Sequence, residues 1–319
     1  MGPRPAVLGG ASLAFVAGYL AARSSMRPAG ELAGFRSVRG ERRYRRAYQE
    51  VLDEWPIPYE ELMVPTRFGE THVVVSGRED ATPVVLLHAT GTSATGWLLN
   101  VARLSEQHRV FAVDIMGEAG KSQQAALLRD RRDCVERLRD VLENPGLERV
   151  FLAGWSFGGW TTLAFVIAEP DRLERCVLLA PYASLAPYAP AVRLFLKVGP
   201  YLPMGPPGRL ALRLMSPGYR FDERFADQFA LGGRFFRAAD PRASVFPSPY
   251  GDEELRAVSV PLLLLVGDKE STFDPHKAVG RARQLIAGVE AEVLPGIGHM
   301  IAMEAADVVN ERMIHFFSR

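Results

Sequence analysis

A candidate nucleophile stands at Ser156, in the middle of a G-x-S-x-G pattern at residues 154–158. The pattern follows the apolar run of residues 150–153 and precedes a helical segment. A serine in a tight strand-to-helix turn has a strained backbone, which leaves no space for side chains two residues before and after it. The turn exposes the hydroxyl at the end of a strand, beside the positive end of the following helix. We therefore predict that Ser156 is a catalytic nucleophile.

A serine nucleophile needs a base that takes its proton, and the chain offers His299. His299 ends the loop of residues 295–299, which follows the apolar run 292–294 and precedes the last helical segment. When the nucleophile lies in such a turn, the acid and then the histidine follow it in the chain. This order predicts that His299 is the general base.

The acid of the triad should come from the loop after the apolar run 262–266, where three carboxylates stand. The acid usually stands three residues after the glycine that ends the strand, here Gly267, and this position is Glu270. Asp268 is the reserve candidate and Asp274 is the third. The acid would orient the imidazole and stabilise its protonated form.

A tetrahedral intermediate needs two backbone N–H groups that already point at its negative oxygen. The residue after the nucleophile, Phe157, should supply one of them. The loop after the apolar run 84–87 should supply the other, with Thr90 as the expected donor and Ala89 as the alternative. Together with the triad, these donors predict that an ester is cleaved through an acyl-enzyme.

The remaining histidines have no catalytic assignment. His88 directly follows the run 84–87 and precedes the nucleophile in the chain, so we expect a structural role for it. The others have no partner that the sequence indicates and are expected to be ordinary polar residues: His72, His108, His276 and His315.

Other kinds of site find little support. Residues 117–122 end in Gly-Lys-Ser, but Ile115 stands where a phosphate-binding loop requires glycine. Cys134 and Cys176 have no zinc-ligand spacing with a histidine. The 38 basic and 37 acidic residues nearly cancel, so no charge pattern indicates nucleic acid. We expect no cofactor, no metal and no nucleic-acid partner, and a small-molecule ester as the substrate.

The elements that must position these residues follow a βα rhythm. Seven apolar runs alternate with helical segments, which is typical of a parallel sheet buried on both faces. The predicted strands are residues 72–75, 84–87, 110–113, 150–153, 176–180, 262–266 and 292–294. The predicted helices include residues 130–142, 161–168 and 305–317. The sequence therefore predicts the α/β class, with a mostly parallel central sheet flanked by helices.

Residues 181–259 interrupt this rhythm, because they carry many prolines and aromatic side chains and no convincing buried strand. A structureless loop of that length is unusual in a compact domain, so we predict an inserted helical cap. The cap could be a substrate-lining lid or a structural unit with its own small core. The predicted division is an N-terminal segment at 1–34, the core at 35–180 and 260–319, and the cap between them.

The N-terminal segment contains a charge-free apolar run that begins at Ala6 and ends at Ala22. Its length is close to the lower limit for a membrane-spanning helix. Arginines are more numerous after this run than before it, and this bias favours a cytoplasmic position for the downstream chain. We predict a membrane anchor with the catalytic domain on the cytoplasmic side. A cleaved signal peptide with export, or an apolar extension of a soluble protein, are the alternatives.

Taken together, the motifs around Ser156, the acid loop and His299 resemble those of the α/β-hydrolase superfamily. The resemblance runs from about Tyr48 to the C-terminus. Residues 84–89 are similar to the family's strand and His-Gly segment, with Ala89 in place of the usual glycine. Residues 114–122 are similar to its D-x-x-G-x-G-x-S loop, slightly lengthened. The resemblance implies the triad described above and a cap inserted after the sixth strand. Aspartate is the commoner acid in the family, so Glu270 and Asp268 both stay open.

Within the superfamily, the chain resembles a bacterial group of carboxylesterase-like hydrolases that includes macrolide esterases. The stretches that carry this resemblance are residues 55–56, 64–72, 267–275, 298–299 and 303–304. The leading hypothesis is therefore a serine hydrolase of carboxylic esters. A thioesterase, lactonase or amidase at the same triad is the alternative, and a non-catalytic ligand-binding protein of the same fold is the alternative from another class. The sequence specifies neither the individual ester nor the oligomeric state.

Overall fold

The computed structural model describes residues 31–190, 192, 208–239 and 243–319. The apolar run from Ala6 to Ala22, and with it the predicted anchor, lies outside these residues. No helix within the described ranges is both long enough and apolar enough to cross a membrane.

The centre of the fold is a twisted sheet of mostly parallel strands. In chain order, the described strands are β1 (Gly34–Phe35), β2 (Tyr59–Thr66), β3 (Gly69–Ser76), β4 (Thr82–Leu87), β5 (His108–Val113), β6 (Gln123–Gln124), β7 (Val150–Trp155), β8 (Leu173–Leu179), β9 (Phe236–Arg237), β10 (Leu262–Gly267) and β11 (Glu290–Leu294). The main sheet has the order β11-β10-β8-β7-β4-β5-β3-β2, and β6 pairs with β3. The six strands from β5 to β11 in this order are parallel, while β3 is antiparallel to both β2 and β5. The predicted fold class is confirmed.

The parallel strands are continuous apolar runs because both faces of the sheet are covered. Along β7, Val150 and Leu152 belong to the buried cluster on one face, and Phe151 and Trp155 belong to the cluster on the other. All seven predicted strands are present. The apolar pattern does not predict β2, because most of its side chains are exposed or half-buried and its sequence has no buried run.

Helices cover both faces of the sheet. In chain order, the described α-helices are α1 (Val38–Leu52), α2 (Leu98–Ser105), α3 (Arg131–Glu143), α4 (Phe157–Ala168), α5 (Gly208–Met215), α6 (Glu223–Phe235), α7 (Asp252–Arg256), α8 (Pro275–Leu285), α9 (Ile301–Glu304) and α10 (Ala306–Phe317). The three predicted helices correspond to α3, α4 and α10. Helix α4 begins four residues before its predicted start, because glycines in its first turn weaken the apolar pattern.

The N-terminal part of the described chain is attached to the insertion between β8 and β10, which contains α5, α6, β9 and α7. Helix α1 packs against α6, and a Cβ atom on Gly40 would lie 2.8 Å from the ring of Phe235. Strand β1 pairs antiparallel with β9. The sequence analysis assigns no helix here, because the short apolar stripe of Tyr44, Tyr48 and Val51 lies within a run of arginines. The predicted domain boundaries stay a prediction.

The strand order places a crevice at the carboxyl end of β4. Its neighbours β5 and β7 lie on opposite sides of it, because the chain passes from β4 to β5 on one side and then crosses to β7 on the other. Ligands of such sheets bind outside the carboxyl ends of the strands at this switch point. The segments that follow β4, β7, β10 and β11 carry the predicted site residues, so the sheet brings them to one edge.

Candidate active site

Ser156 occupies the strained turn that the G-x-S-x-G pattern predicts. It lies between β7 and α4 with φ 56° and ψ −113°, a left-handed conformation that is costly for a residue with a side chain. A Cβ atom on Gly154 would lie 2.2 Å from the carbonyl oxygen of Gly158. A Cβ atom on Gly158 would lie 2.1 Å from the carbonyl oxygen of Leu87. Both glycines are therefore required by the close approach of backbone to backbone.

The neighbouring strand β8 holds the strained turn in place. The Ser156 N–H donates to the carbonyl of Leu179 at 2.9 Å. The Ser156 carbonyl accepts from the N–H of Tyr182 and from that of Trp160, both at 3.0 Å. Because these bonds fix the backbone on both sides of the Cα atom, the hydroxyl has a defined direction.

The structure brings Ser156, His299 and Glu270 into one hydrogen-bonded chain. The Oγ atom of Ser156 lies 2.9 Å from Nε2 of His299, and Nδ1 of His299 lies 2.6 Å from Oε2 of Glu270. All three side chains are buried. An ionised carboxylate only accepts hydrogen bonds, so Nδ1 carries the proton and Nε2 is left to accept from the hydroxyl. This is the arrangement in which an imidazole can take a proton from serine.

The second oxygen of Glu270 fixes the carboxylate. Oε1 accepts from the backbone N–H of Thr272 at 2.7 Å and from its hydroxyl at 2.8 Å. The carboxylate plane therefore cannot rotate freely about its own side chain, and Oε2 stays directed at the imidazole.

The other two candidate acids have different contacts. Asp268 is exposed, and its Oδ1 accepts from the backbone N–H of Gly296 at 2.7 Å, which joins the loop after β10 to the loop after β11. Asp274 caps helix α8 by accepting from the N–H of Lys277 at 3.1 Å. Of the three carboxylates, the geometry therefore favours Glu270 as the partner of His299.

Residues that the sequence analysis does not identify hold the loop of His299. The His299 carbonyl accepts from Nε1 of Trp155 at 2.9 Å, and its N–H donates to the carbonyl of Met215 at 3.1 Å. The N–H of Gly298 donates to Glu304 at 2.9 Å. Met215 ends α5, so the insertion contributes directly to the position of the base. No sequence pattern signals the contacts of Trp155 and Met215, which join segments far apart in the chain.

The two predicted oxyanion donors border one cavity. Phe157 N–H belongs to the first turn of α4, where amides have no acceptor within the helix. Thr90 and Phe157 both line the cavity, whose other walls are largely apolar and include Met116, Leu128 and Val245. Thr90 and Phe157 therefore lie at the border of the same cavity.

The direction of the Thr90 amide follows from the carbonyl of the same peptide. The Ala89 carbonyl accepts from Nδ1 of His88 at 2.8 Å, and from the hydroxyl and N–H of Thr92 at 2.8 and 3.1 Å. In a trans peptide the N–H points away from the carbonyl, and the described chain has no cis peptide bond. The Thr90 N–H is thus turned away from these three donors, and Thr90 stays the expected second oxyanion donor, with Ala89 as the alternative.

His88 has the structural environment that we expect from its position. Its Nδ1 donates to the Ala89 carbonyl, and its Nε2 accepts from the N–H of Ile115 at 2.8 Å. Burial lowers the pKa of His88 to about 4, so the ring is neutral at pH 7. It joins the loop after β4 to the loop after β5 and does not contact the triad residues through a hydrogen bond.

The prediction that His72 is an ordinary polar residue is wrong. Its ring is buried between two carboxylates, with Nδ1 3.0 Å from Asp114 and Nε2 2.7 Å from Glu61. Burial works against the charged ring, but the hydrogen bonds and charges of Asp114 and Glu61 raise the pKa of His72 overall. Burial would likewise raise the pKa of Asp114, yet the bond to His72 lowers it to about 2. Sequence reasoning missed this cluster because Glu61 lies on β2, which the apolar pattern does not predict.

The His72 cluster predicts a particular dependence of stability on pH. Because the pKa of His72 is raised above 6.5, its contribution is complete below that value and is lost as pH rises through the folded pKa. Because the pKa of Asp114 is lowered from 3.8 to about 2, its contribution is complete above 3.8 and is lost as pH falls through about 2. Both contributions are complete between pH 3.8 and pH 6.5. We therefore expect the difference in Tm between wild type and His72→Gln to be largest in this range. Thermal unfolding followed by circular dichroism across this range measures it, and a constant difference would contradict the cluster.

The Gly-Lys-Ser segment makes structural contacts with β2 and with the start of the loop after β5. Lys121 forms an ion pair with Glu61, and the Ser122 hydroxyl donates to the backbone carbonyl of Asp114 at 2.8 Å. A Cβ atom on Gly120 would lie 2.9 Å from the Asp114 carboxylate.

Within the described residues no group of His, Cys, Asp and Glu side chains could hold a metal ion. The thiols of Cys134 and Cys176 are free and buried.

Residues 84–312 match the model of the alpha/beta hydrolase family. Carboxylesterase nap of Bacillus subtilis (strain 168), described as uncharacterized, is 37% identical over 280 residues, which cover 86% of this chain and 92% of the relative. Carboxylesterase YbfK of the same strain is 33% identical over 286 residues, which cover 88% and 96% of the two chains. The crystal structure of naproxen esterase from Bacillus subtilis superposes with a TM-score of 0.82 at 37% identity, over 87% of this chain and 98% of that one.

Proposed function

The chain belongs to the alpha/beta hydrolase family and is a hydrolase of carboxylic esters, and we propose that it cleaves them through an acyl-enzyme on Ser156. The observation that carries the mechanism is the buried chain of hydrogen bonds from Ser156 through His299 to Glu270. In this proposal Ser156 is the nucleophile, His299 the general base and Glu270 the acid. Phe157 and Thr90 supply the oxyanion N–H groups.

In the first half of the reaction, His299 Nε2 takes the hydroxyl proton as Ser156 Oγ attacks the ester carbonyl carbon. The carbonyl oxygen becomes an oxyanion and accepts from the amides of Phe157 and Thr90. Glu270 stabilises the imidazolium that forms. The tetrahedral intermediate then collapses: the bond to the alcohol oxygen breaks, and His299 returns its proton to that oxygen.

In the second half, water takes the place of the alcohol. His299 removes a proton from this water as its oxygen attacks the acyl carbon of the Ser156 ester. The new intermediate expels Ser156 Oγ, which recovers the proton from His299, and the carboxylic acid leaves. At the end of the second half the three side chains are back in their starting protonation states, so no cofactor takes part in this scheme.

The apolar lining of the cavity that Thr90 and Phe157 border favours an ester with an apolar group. Met116, Leu128 and Val245 line it, and burial of apolar surface contributes about 25 cal/mol per Å² to binding. A relative is named naproxen esterase, which accords with an aromatic acyl group. Thioester, lactone and amide cleavage at the same triad stay alternatives, and so does action on a macrolide.

The proposal is tested by the turnover of p-nitrophenyl esters of increasing acyl length. We expect full-length wild type to hydrolyse them and Ser156→Ala to be inactive, while Ser318→Ala, a substitution at the exposed C-terminus, behaves as wild type. A thioester, a macrocyclic lactone and an anilide with the preferred acyl group separate the alternatives. Turnover of none of these substrates by folded wild type would favour the ligand-binding alternative.

The membrane anchor from Ala6 to Ala22 stays part of the proposal. We expect the full-length protein to sediment with membranes when cell extracts are fractionated, and a variant lacking residues 1–30 to remain in the supernatant. Full-length protein found entirely in the supernatant would argue against an anchor.

A further inference from the structure

The loop that carries Thr90 is held from a second side by a carboxylate that the mechanism above does not use. Oε2 of Glu118 accepts from the backbone N–H of Gly91 at 3.0 Å. Gly91 has φ +77°, a conformation that glycine adopts without strain. A Cβ atom there would lie 3.2 Å from the ring of Phe229 on α6, so the loop has little room to shift on that side.

The two peptide planes on either side of the Thr90 Cα atom are therefore held by separate hydrogen bonds. The carbonyl of the Ala89–Thr90 peptide is held by His88 and Thr92. The N–H of the following peptide is held by Glu118. Since the orientation of the Thr90 amide depends on both planes, release of either one would let the amide turn away from the oxyanion.

Glu118 is itself fixed by the loop after β5. Its N–H donates to the carbonyl of Ile115 at 3.2 Å, and the next carbonyl, that of Ala119, accepts from the hydroxyl of Tyr44 at 2.8 Å. Further along this loop, the N–H of Lys121 donates to Asp114 at 2.8 Å. The carboxylate thus stands on a firmly attached segment. It also lines the same cavity as Thr90 and Phe157.

We propose that Glu118 is a positioning residue for the oxyanion hole, which acts by holding the Gly91 N–H and through it the Thr90 amide. The inference rests on the proposed function of Ser156 and Thr90. It assigns to Glu118 no contact with the reacting atoms. Its effect should therefore appear in the transition state, where the oxyanion forms, and not in the binding of the neutral ester.

The test compares full-length wild type with Glu118→Ala and Glu118→Gln, using a p-nitrophenyl ester as substrate and phenylboronic acid as a probe of the tetrahedral state. Loss of a whole oxyanion donor lowers kcat by about 10²–10³, so a donor that is only misplaced should cost on the order of tenfold. We expect Glu118→Ala to show this loss with KM nearly unchanged. The inhibition constant of phenylboronic acid should rise by a similar factor. Glu118→Gln, whose amide oxygen can still accept from Gly91, should recover most of the loss.

Glu106→Ala, which removes an exposed glutamate, is the control and should match wild type. If Glu118→Ala does not fold, Glu118→Asp is measured instead, because its shorter side chain cannot reach Gly91 and should show the same loss. An unchanged kcat, a loss confined to KM, or a Gln variant as impaired as the Ala variant would overturn the inference. Failure of the proposed function would appear separately, as activity that survives Ser156→Ala.

Discussion

Replacement of His299 by alanine should lower kcat for ester hydrolysis by about 10⁶, the loss that follows removal of the base or nucleophile from a serine triad. The reason is that Ser156 Oγ has its hydrogen-bonded acceptor in Nε2 of His299, at 2.9 Å. Without that acceptor the hydroxyl keeps its proton and is a poor nucleophile. Steady-state hydrolysis of a p-nitrophenyl ester measures the change, and His276→Ala, at an exposed position on α8, is the control.

The double variant Ser156→Ala with His299→Ala makes the prediction sharper. Residues that act as a unit have non-additive effects, so the double variant should be no less active than either single variant. Additive losses, or a His299→Ala variant within about tenfold of wild type, would mean that the two residues do not act together.

Replacement of Glu270 by alanine should lower kcat by about 10⁴, because the acid orients the imidazole and stabilises its charged form. The bond from Nδ1 of His299 to Oε2 of Glu270, at 2.6 Å, is the contact that this change removes. Asp268→Ala and Asp274→Ala should keep kcat close to wild type. Asp274→Ala should instead lower the free energy of unfolding by about 1 kcal/mol, because it removes the cap of helix α8.

The measurement is kcat for the three alanine variants side by side, with the free energy of unfolding from urea titrations of each. Glu270→Gln adds a useful comparison, since it keeps the size of the side chain and removes its charge. Loss of activity in Asp268→Ala with Glu270→Ala unaffected would transfer the role of the acid to Asp268.

The parallel core could be predicted from the sequence because burial on both faces demands continuous apolar runs. Residues 150–153 and 262–266 are such runs, and both become fully buried strands. Strand β2 and helix α1 could not be predicted in the same way. Their positions depend on partners elsewhere in the chain, β3 for the strand and α6 for the helix.

The part of the site that depends on local sequence and on the order of residues in the chain could be predicted. The glycines around Ser156 indicate a tight turn. The chain order predicts an acid and then a histidine, and Glu270 and His299 are hydrogen-bonded to each other, with His299 also bonded to Ser156. The contacts that hold the site come from distant segments and carry no pattern: Trp155 joins the end of β7 to the loop of His299, and Glu118 joins the loop after β5 to that after β4. The His72 cluster is hidden for the same reason, because its two carboxylates are brought together only by the sheet.

Covalent labelling with a fluorophosphonate tests the central claim most directly. The full-length protein is treated with the reagent, digested, and searched by tandem mass spectrometry for the phosphonylated peptide. We predict one adduct on Ser156 that forms together with the loss of ester hydrolysis and is absent from Ser156→Ala. Hydrolysis that continues in fully labelled protein, or an adduct that forms on another residue as activity is lost, would contradict it.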